Sequence, residues 1–203
     1  CHQTCLRTLR AETPSRKPEF IIKSMSGHSK WSTIKHKKAL TDAKKSKVFS
    51  KVTSLITIAA RKGNDPDKNP SLRTAIEKAH EVNVPKENIE RAIKRGTGEI
   101  AGARLEELSY GAFGPGGVAI LITAITDNKN RTLAEIKKIL QEHNAKFAEL
   151  NSIQWMFHRE GADWISNNPI KIGDENIKKE LEALYDALDE QQDINEIYDN
   201  TGD

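Results

Sequence analysis

From Thr41 to Lys62 the apolar residues Phe49, Val52, Ile56, Ala59 and Ala60 recur at helical spacing and share one arc of the wheel. Lys44, Lys47, Lys51 and Lys62 fall on the adjoining arc, so the pattern predicts a helix with a core face beside a lysine stripe. Leu55 and Ile58 land inside the lysine sector, which leaves the stripe cleanest in its first half. Gly63 follows, where glycine commonly ends a helix. Asn69-Pro70 pairs a capping side chain with proline at the first helical position and predicts a second helix, with Leu72, Ile76 and Ala79 on one face. Pro85 opens a third, with Ile89, Ala92 and Ile93 inward. Arg91, Lys94 and Arg95 stand in its last turns, where the helix dipole favours cations, and Gly96 is expected to close it.

Beyond residue 98 the period changes. Leu105 to Tyr110 and Gly117 to Thr126 read as strands, joined by the turn signal Phe113-Gly114-Pro115-Gly116-Gly117. Asp127 to Asn130 is a polar loop leading into a helix from Arg131 to His143, with Leu133, Ile136, Ile139 and Leu140 apolar. Ser152 to Phe157 reads as a further strand, Asp174 to Asp189 as a helix, and Ile194 to Tyr198 as a last strand. An all-helical unit followed by β-β-α-β-α-β defines an α+β protein whose second part is a sandwich of sheet and helices. The longest apolar run, Val118 to Ile122, has strand length, well short of a membrane span.

The formal net charge of +3 conceals a steep gradient along the chain. Residues 25–62 hold ten Lys or Arg against the single acid Asp42, whereas residues 174–203 hold eleven acids against two Lys. A basic block of this density is an electrostatic footprint for polyanions, although sign segregation also serves solubility. The cysteines are Cys1 and Cys5, so no disulfide framework is available to the regular part of the chain, which fits a reducing compartment. Residues 1–24 carry Arg7, Arg10 and Arg16 with Pro14 and Pro18, and they read as an extension ahead of Met25. Glu12 and Glu19 weigh against a mitochondrial transit peptide, so the expected location is cytoplasmic, with a mitochondrial one as the alternative if that segment is part of such a peptide.

Catalytic and cofactor signatures are missing from the sequence. It holds no phosphate-binding G-x-x-x-x-G-K-S/T loop, no H-E-x-x-H, no zinc-spaced Cys/His set and no G-x-S-x-G elbow. Gly114, Gly116 and Gly117 precede a strand instead of a helix N-terminus, which favours a turn over a phosphate cradle. The acids Asp186, Asp189, Glu190 and Asp193 lack calcium-loop spacing and read as a solvated face. The expectation is a non-enzyme with no metal, cofactor, small-molecule substrate or membrane partner.

The candidate chemistry concentrates in the basic head. Lys30, Lys35, Lys37, Lys38, Lys44, Lys45, Lys47 and Lys51 can neutralise phosphates, and Trp31 and His36 can stack on an unpaired base. Trp31 can equally anchor the N-terminal arm to the helical unit. Paired Arg or Asn side chains for bidentate base reading are scarce, so phosphate positioning and shape are expected to dominate. The loop Asn128, Lys129, Asn130 and Arg131 is a second candidate contact, its alternative role being helix capping.

Met25-Ser26-Gly27-His28-Ser29-Lys30-Trp31, with Lys35-His36-Lys37-Lys38 after it, resembles the opening of the YebC family. Asn69-Pro70 with Leu72-Arg73, Pro85 to Gly96, Gly114 to Gly117, Thr126 to Thr132, Trp155-Met156-Phe157 and the tail from Leu188 to Tyr198 match further family segments in order. The resemblance covers nearly everything after Ser24. It implies a basic helical domain over residues 25–98, a ferredoxin-like α/β domain over 99–203, and action as a DNA-binding transcriptional regulator. Some family members are mitochondrial translational activators of cytochrome c oxidase, so the alternative is a translation factor that binds the ribosome and ribosomal RNA. Two departures stand out. Only Arg159 to Gly173 occupies the place of the family's usual third subdomain, and Asn144-Ala145-Lys146 stands where a glycine pair is common.

Overall fold

The computed structural model describes residues 42–160 and 163–202. Three helices come first, α1 (Asp42–Ala60), α2 (Pro70–Glu81) and α3 (Lys86–Thr97). Their apolar faces meet in one cluster, in which Ile56, Leu72 and Ala79 are fully buried. Asn69 organises two of the helix ends at once. Its Oδ1 accepts from the Leu72 amide at 3.2 Å and starts α2. Its Nδ2 donates to the carbonyls of Ala59 and Gly63 at 2.8 and 2.9 Å, satisfying groups that the end of α1 leaves without helical partners.

The third helix corrects one expectation. Gly96 does not end α3; the helix continues to Thr97, and Gly98, at φ 85°, takes the left-handed cap. Gly96 is needed for packing. A Cβ there would stand 2.4 Å from the Thr57 carbonyl oxygen and 2.6 Å from the Ala60 Cβ, so the missing side chain is what lets α1 and α3 close on each other.

The second unit comprises β1 (Glu106–Phe113), β2 (Ala119–Thr126), α4 (Lys129–Glu142), β3 (Lys146–Ala148), α5 (Leu150–Ile153), β4 (Phe157–Glu160), β5 (Asp163–Ser166), α6 (Glu175–Glu190) and β6 (Ile194–Asp199). Four strands form an antiparallel sheet in the order β3-β1-β2-β6, and β4 pairs with β5 in a separate hairpin. Because β2 and β3 flank β1, the β2-α4-β3 connection is a split β-α-β unit of the ferredoxin-like kind. Every residue of β2 is buried. Ile120 and Ile122 face Ile136 and Leu140 of α4 and Leu181, Leu184 and Leu188 of α6. Ala119 and Leu121 face Ile153 and Phe157 on the opposite side. The apolar run at Val118 to Ile122 is thus a central strand covered on both faces.

The segment 152–157 departs from the expected strand. It folds as the end of α5, a 3-10 turn over Gln154–Met156, and the first residue of β4. In a strand, Ile153, Trp155 and Phe157 would share one face. Here Ile153 and Phe157 are buried while Trp155 is 62% exposed, as a helical turn requires. The third strand of the main sheet is instead Lys146–Ala148, whose three residues are too few to show an alternating pattern.

The two units are joined by cations from the helical part. Lys51 is 8% exposed, and its Nζ donates to both the backbone oxygen and Oδ1 of Asp189 at 2.9 Å. Lys47 Nζ donates to the Glu190 carbonyl at 3.1 Å. Both acceptors lie in the last turn of α6, which has no basic residue of its own there, so α1 supplies the positive charge that the end of a helix dipole attracts. Lys78 of α2 approaches Glu196 of β6 at 3.6 Å and adds a second bridge.

Two stability changes follow from this packing. Gly96→Ala should lower the unfolding free energy by about 1–3 kcal/mol through overpacking, in spite of alanine's better helix propensity. Lys51→Met, which keeps the stem and removes the charge, should cost about 1–3 kcal/mol by taking from the half-buried Asp189 the cation that bonds both its carboxylate and its carbonyl. Urea unfolding of each variant against wild type measures both. An unchanged midpoint for either would contradict the contact invoked.

Candidate nucleic-acid interface

The lysines of the basic head are placed unequally by the fold. Lys30, Trp31, Lys35, His36, Lys37 and Lys38 lie outside the described residues. Lys44 lies in the first turn of α1, and the description does not extend to its side chain. Lys45 is exposed. Lys47 is half-buried against the end of α6, and Lys51 is buried there. The continuous stripe expected from the helical wheel therefore divides. Its N-terminal part reaches solvent at Lys45, whereas Lys51 is withdrawn from any phosphate by its bond to Asp189. This also corrects the reading of Asp189 and Glu190 as a purely solvated face, because both contribute acceptors to α1.

The second candidate, Asn128 to Arg131, is similarly divided. Asn128 Oδ1 accepts from the amides of Asn130 and Arg131 at 3.2 Å and is the N-cap of α4. Arg131 stands 2.9 Å from Asp127 Oδ1 and 3.0 Å from Asp193 Oδ2, and these neighbours raise the pKa of its guanidinium. Lys129 and Asn130 are exposed at the start of the helix. The capping alternative accounts for Asn128, while Arg131 ties α4 to the segment leading into β6.

Asp193 is the hub of that tie. Its Oδ2 accepts from Thr132 Oγ1 at 2.6 Å, Arg131 Nη2 at 3.0 Å and Thr126 Oγ1 at 3.2 Å. Partial burial pushes the carboxyl up. The hydrogen bonds from Thr132 and Arg131, with the arginine's charge, outweigh that and hold it below the ordinary carboxylate range.

Sequence reasoning had no means of finding a third basic feature. Arg61 just past α1, Arg95 near the end of α3 and Arg104 in the connection to β1 line one open cavity of about 390 Å³, together with Gly96, Gly98 and residues 100–103. These arginines stand 34 and 9 residues apart in the chain, too far for a periodic signal to link all three. Only the charges of Arg91, Lys94 and Arg95 at the helix end hinted at it.

The Asp193 network gives a pH dependence. A carboxyl held lower in the folded chain than in the unfolded one contributes stability above its unfolded pKa, near 4, and that contribution is lost as pH falls toward the folded value. Asp193→Asn should therefore be less stable than wild type at pH 7, with the difference shrinking at pH 3. Urea midpoints at the two pH values check this, and a gap that stays constant would sink it.

Residues 29–99 match the family model described as the TACO1/YebC protein N-terminal domain, and residues 105–163 match the TACO1/YebC second and third domain. A "Probable transcriptional regulatory protein" of Dictyoglomus turgidum is 49% identical over 178 residues, spanning 87% of this chain and 69% of that protein. A protein of the same name from Petrotoga mobilis is 48% identical over 174 residues, spanning 85% of this chain and 69% of its own length. The crystal structure of a conserved hypothetical protein from Aquifex aeolicus matches with a TM-score of 0.75 at 30% identity, over 85% of this chain and 96% of that one. With both of its units matched by the same family's models and relatives about half identical over most of its length, the chain belongs to the TACO1/YebC family.

Proposed function

We propose that this chain is a nucleic-acid-binding regulator of gene expression, acting in transcription by binding duplex DNA through its basic N-terminal part. The observation that carries the reading is the concentration of ten Lys or Arg against one acid in residues 25–62. The contacts assigned are Lys30, Lys35, Lys37, Lys38, Lys44 and Lys45, with Trp31 and His36 as stacking groups. Lys51 is left out because it is committed to Asp189. Lys129 and Asn130 are retained as a second contact, Asn128 and Arg131 positioning the loop.

Several things support this reading. The relatives carry the name of transcriptional regulators. Lysine is a compact charge suited to phosphate and poorly suited to bidentate base reading, which favours backbone positioning over a sequence code. The acidic tail is drawn onto α1 through the end of α6, and Lys45, nearer the start of α1, is exposed. Residues 25–98 act as the binding domain in this reading and residues 99–203 as its ferredoxin-like scaffold. The role is one of binding, without catalysis or cofactor. Among the described residues no helix is long and apolar enough to cross a membrane.

Duplex binding measured by fluorescence anisotropy across salt concentrations tests the proposal. The affinity should fall with a log–log slope of about −0.9 per phosphate neutralised. Replacing Lys30, Lys35, Lys37 and Lys38 by Gln should shrink that slope by about 3–4. A flat salt response in the wild type would overturn the reading. Co-sedimentation with ribosomes that survives excess duplex DNA would replace it by the translational one.

A further inference from the structure

We infer that the cavity lined by Arg61, Arg95 and Arg104 is a second nucleic-acid contact, a site for backbone phosphodiesters at the opposite end of α1 from Lys45. The inference rests on the proposed function and adds a place where the bound strand must reach.

Three guanidinium-bearing side chains line one concavity, and among the described residues none has a carboxylate within ion-pair distance. Like charges gathered in this way repel one another unless an anion lies among them. Other cations of the fold are treated differently: Lys51, Lys78 and Arg131 each meet an acid of the α/β unit. The three arginines at this cavity are exposed instead of turned toward the α/β unit.

The surrounding chain holds the site open. Gly98 ends α3 in a left-handed turn, and the amides of Glu99 and Ile100 donate back to the Lys94 carbonyl at 2.9 and 3.3 Å, which fixes the start of the connection. Gly102 lets the backbone lie against the stem of Arg95. A Cβ at that position would stand 3.0 Å from Arg95 Cγ and Cδ and 3.2 Å from Nε. The guanidinium is therefore backed by packed main chain, which lowers the entropy lost when it binds. Ala101, Gly102 and Ala103 add little bulk to the lining, and Ile100, 39% exposed, offers an apolar surface for a sugar ring.

The chemistry selects phosphate. The planar guanidinium fork matches two phosphate oxygens at once and stays charged at any physiological pH. An open concavity suits a continuous strand passing across it better than an enclosed small molecule.

Geometry sets a length requirement. Sixteen residues separate Lys45 from Arg61. At 1.5 Å per helical residue the two poles stand about 24 Å apart, the rise of about seven base pairs. A duplex that engages both must be at least that long.

The test uses the full chain and its Arg61→Gln/Arg95→Gln/Arg104→Gln variant, with a labelled 20-base-pair duplex titrated at several salt concentrations. The variant should bind at least about fivefold more weakly at low salt, with the salt slope reduced by about 2–3. A matched Arg→Lys triple variant should keep the slope, which separates loss of charge from loss of structure. A five-base-pair duplex, too short to span the poles, should bind wild type and the Gln variant with closer affinities. Equal affinity and slope for wild type and the Gln variant on the long duplex would overturn this site while leaving the proposed function standing. Failure of the wild type to bind any duplex would remove both.

Discussion

β2 has no side chain in water, and the architecture of the α/β unit follows from that burial. A strand whose two faces are both apolar must be covered twice. Helices α4 and α6 supply one cover through Ile136, Leu140, Leu184 and Leu188. The second cover is smaller and built from unlike pieces, with Ile153 from α5 and Phe157 from the hairpin β4–β5. The segment after β3 therefore cannot extend into the main sheet. It has to turn beneath it, which is why Trp155 points outward while Ile153 and Phe157, two residues to either side, are buried.

Charge then decides how the helical unit attaches. The chain is basic at one end and acidic at the other, and the fold brings part of one onto part of the other. Lys47 and Lys51 reach the last turn of α6, where the unsatisfied carbonyls and Asp189 offer negative charge. Lys51 is buried, so removing one partner of this contact costs more than removing one partner of a surface ion pair. The same contact narrows the basic face. Lys45 near the start of α1 and, past its end, the arginines of the open cavity are exposed. In the proposed reading these two poles, one near each end of α1, set the shortest duplex that can engage both.

Two glycines allow close approaches on which the helical unit and the arginine-lined cavity depend. Gly96 permits the close approach of α1 and α3 that builds the helical core, and Gly102 permits the main chain to back Arg95. One removes a clash inside the fold and the other presents a charge outside it. A pattern of apolar positions distinguishes neither from an ordinary helix end or loop glycine, because both act through atoms distant in sequence or outside regular structure.

Local order was legible in the residues themselves. The three N-terminal helices, the two long strands, the helices α4 and α6 and the last strand announce themselves by period, and α2 also by its cap Asn69. Capping and amphipathicity are set within a turn or two of chain, so sequence suffices for them. The charge gradient, and with it the polyanion reading, is likewise a property of composition. Tertiary structure alone decided which lysine is spent. Lys51 and Asp189 are 138 residues apart, and no periodicity connects them. It also decided that Lys146–Ala148 completes the sheet, since three residues carry too little pattern to compete with the apolar spacing at 152–157. Arg61, Arg95 and Arg104 came together for the same reason: their proximity depends on how two helix ends and a connection pack, and packing is determined by the whole buried surface, which no local stretch of sequence displays.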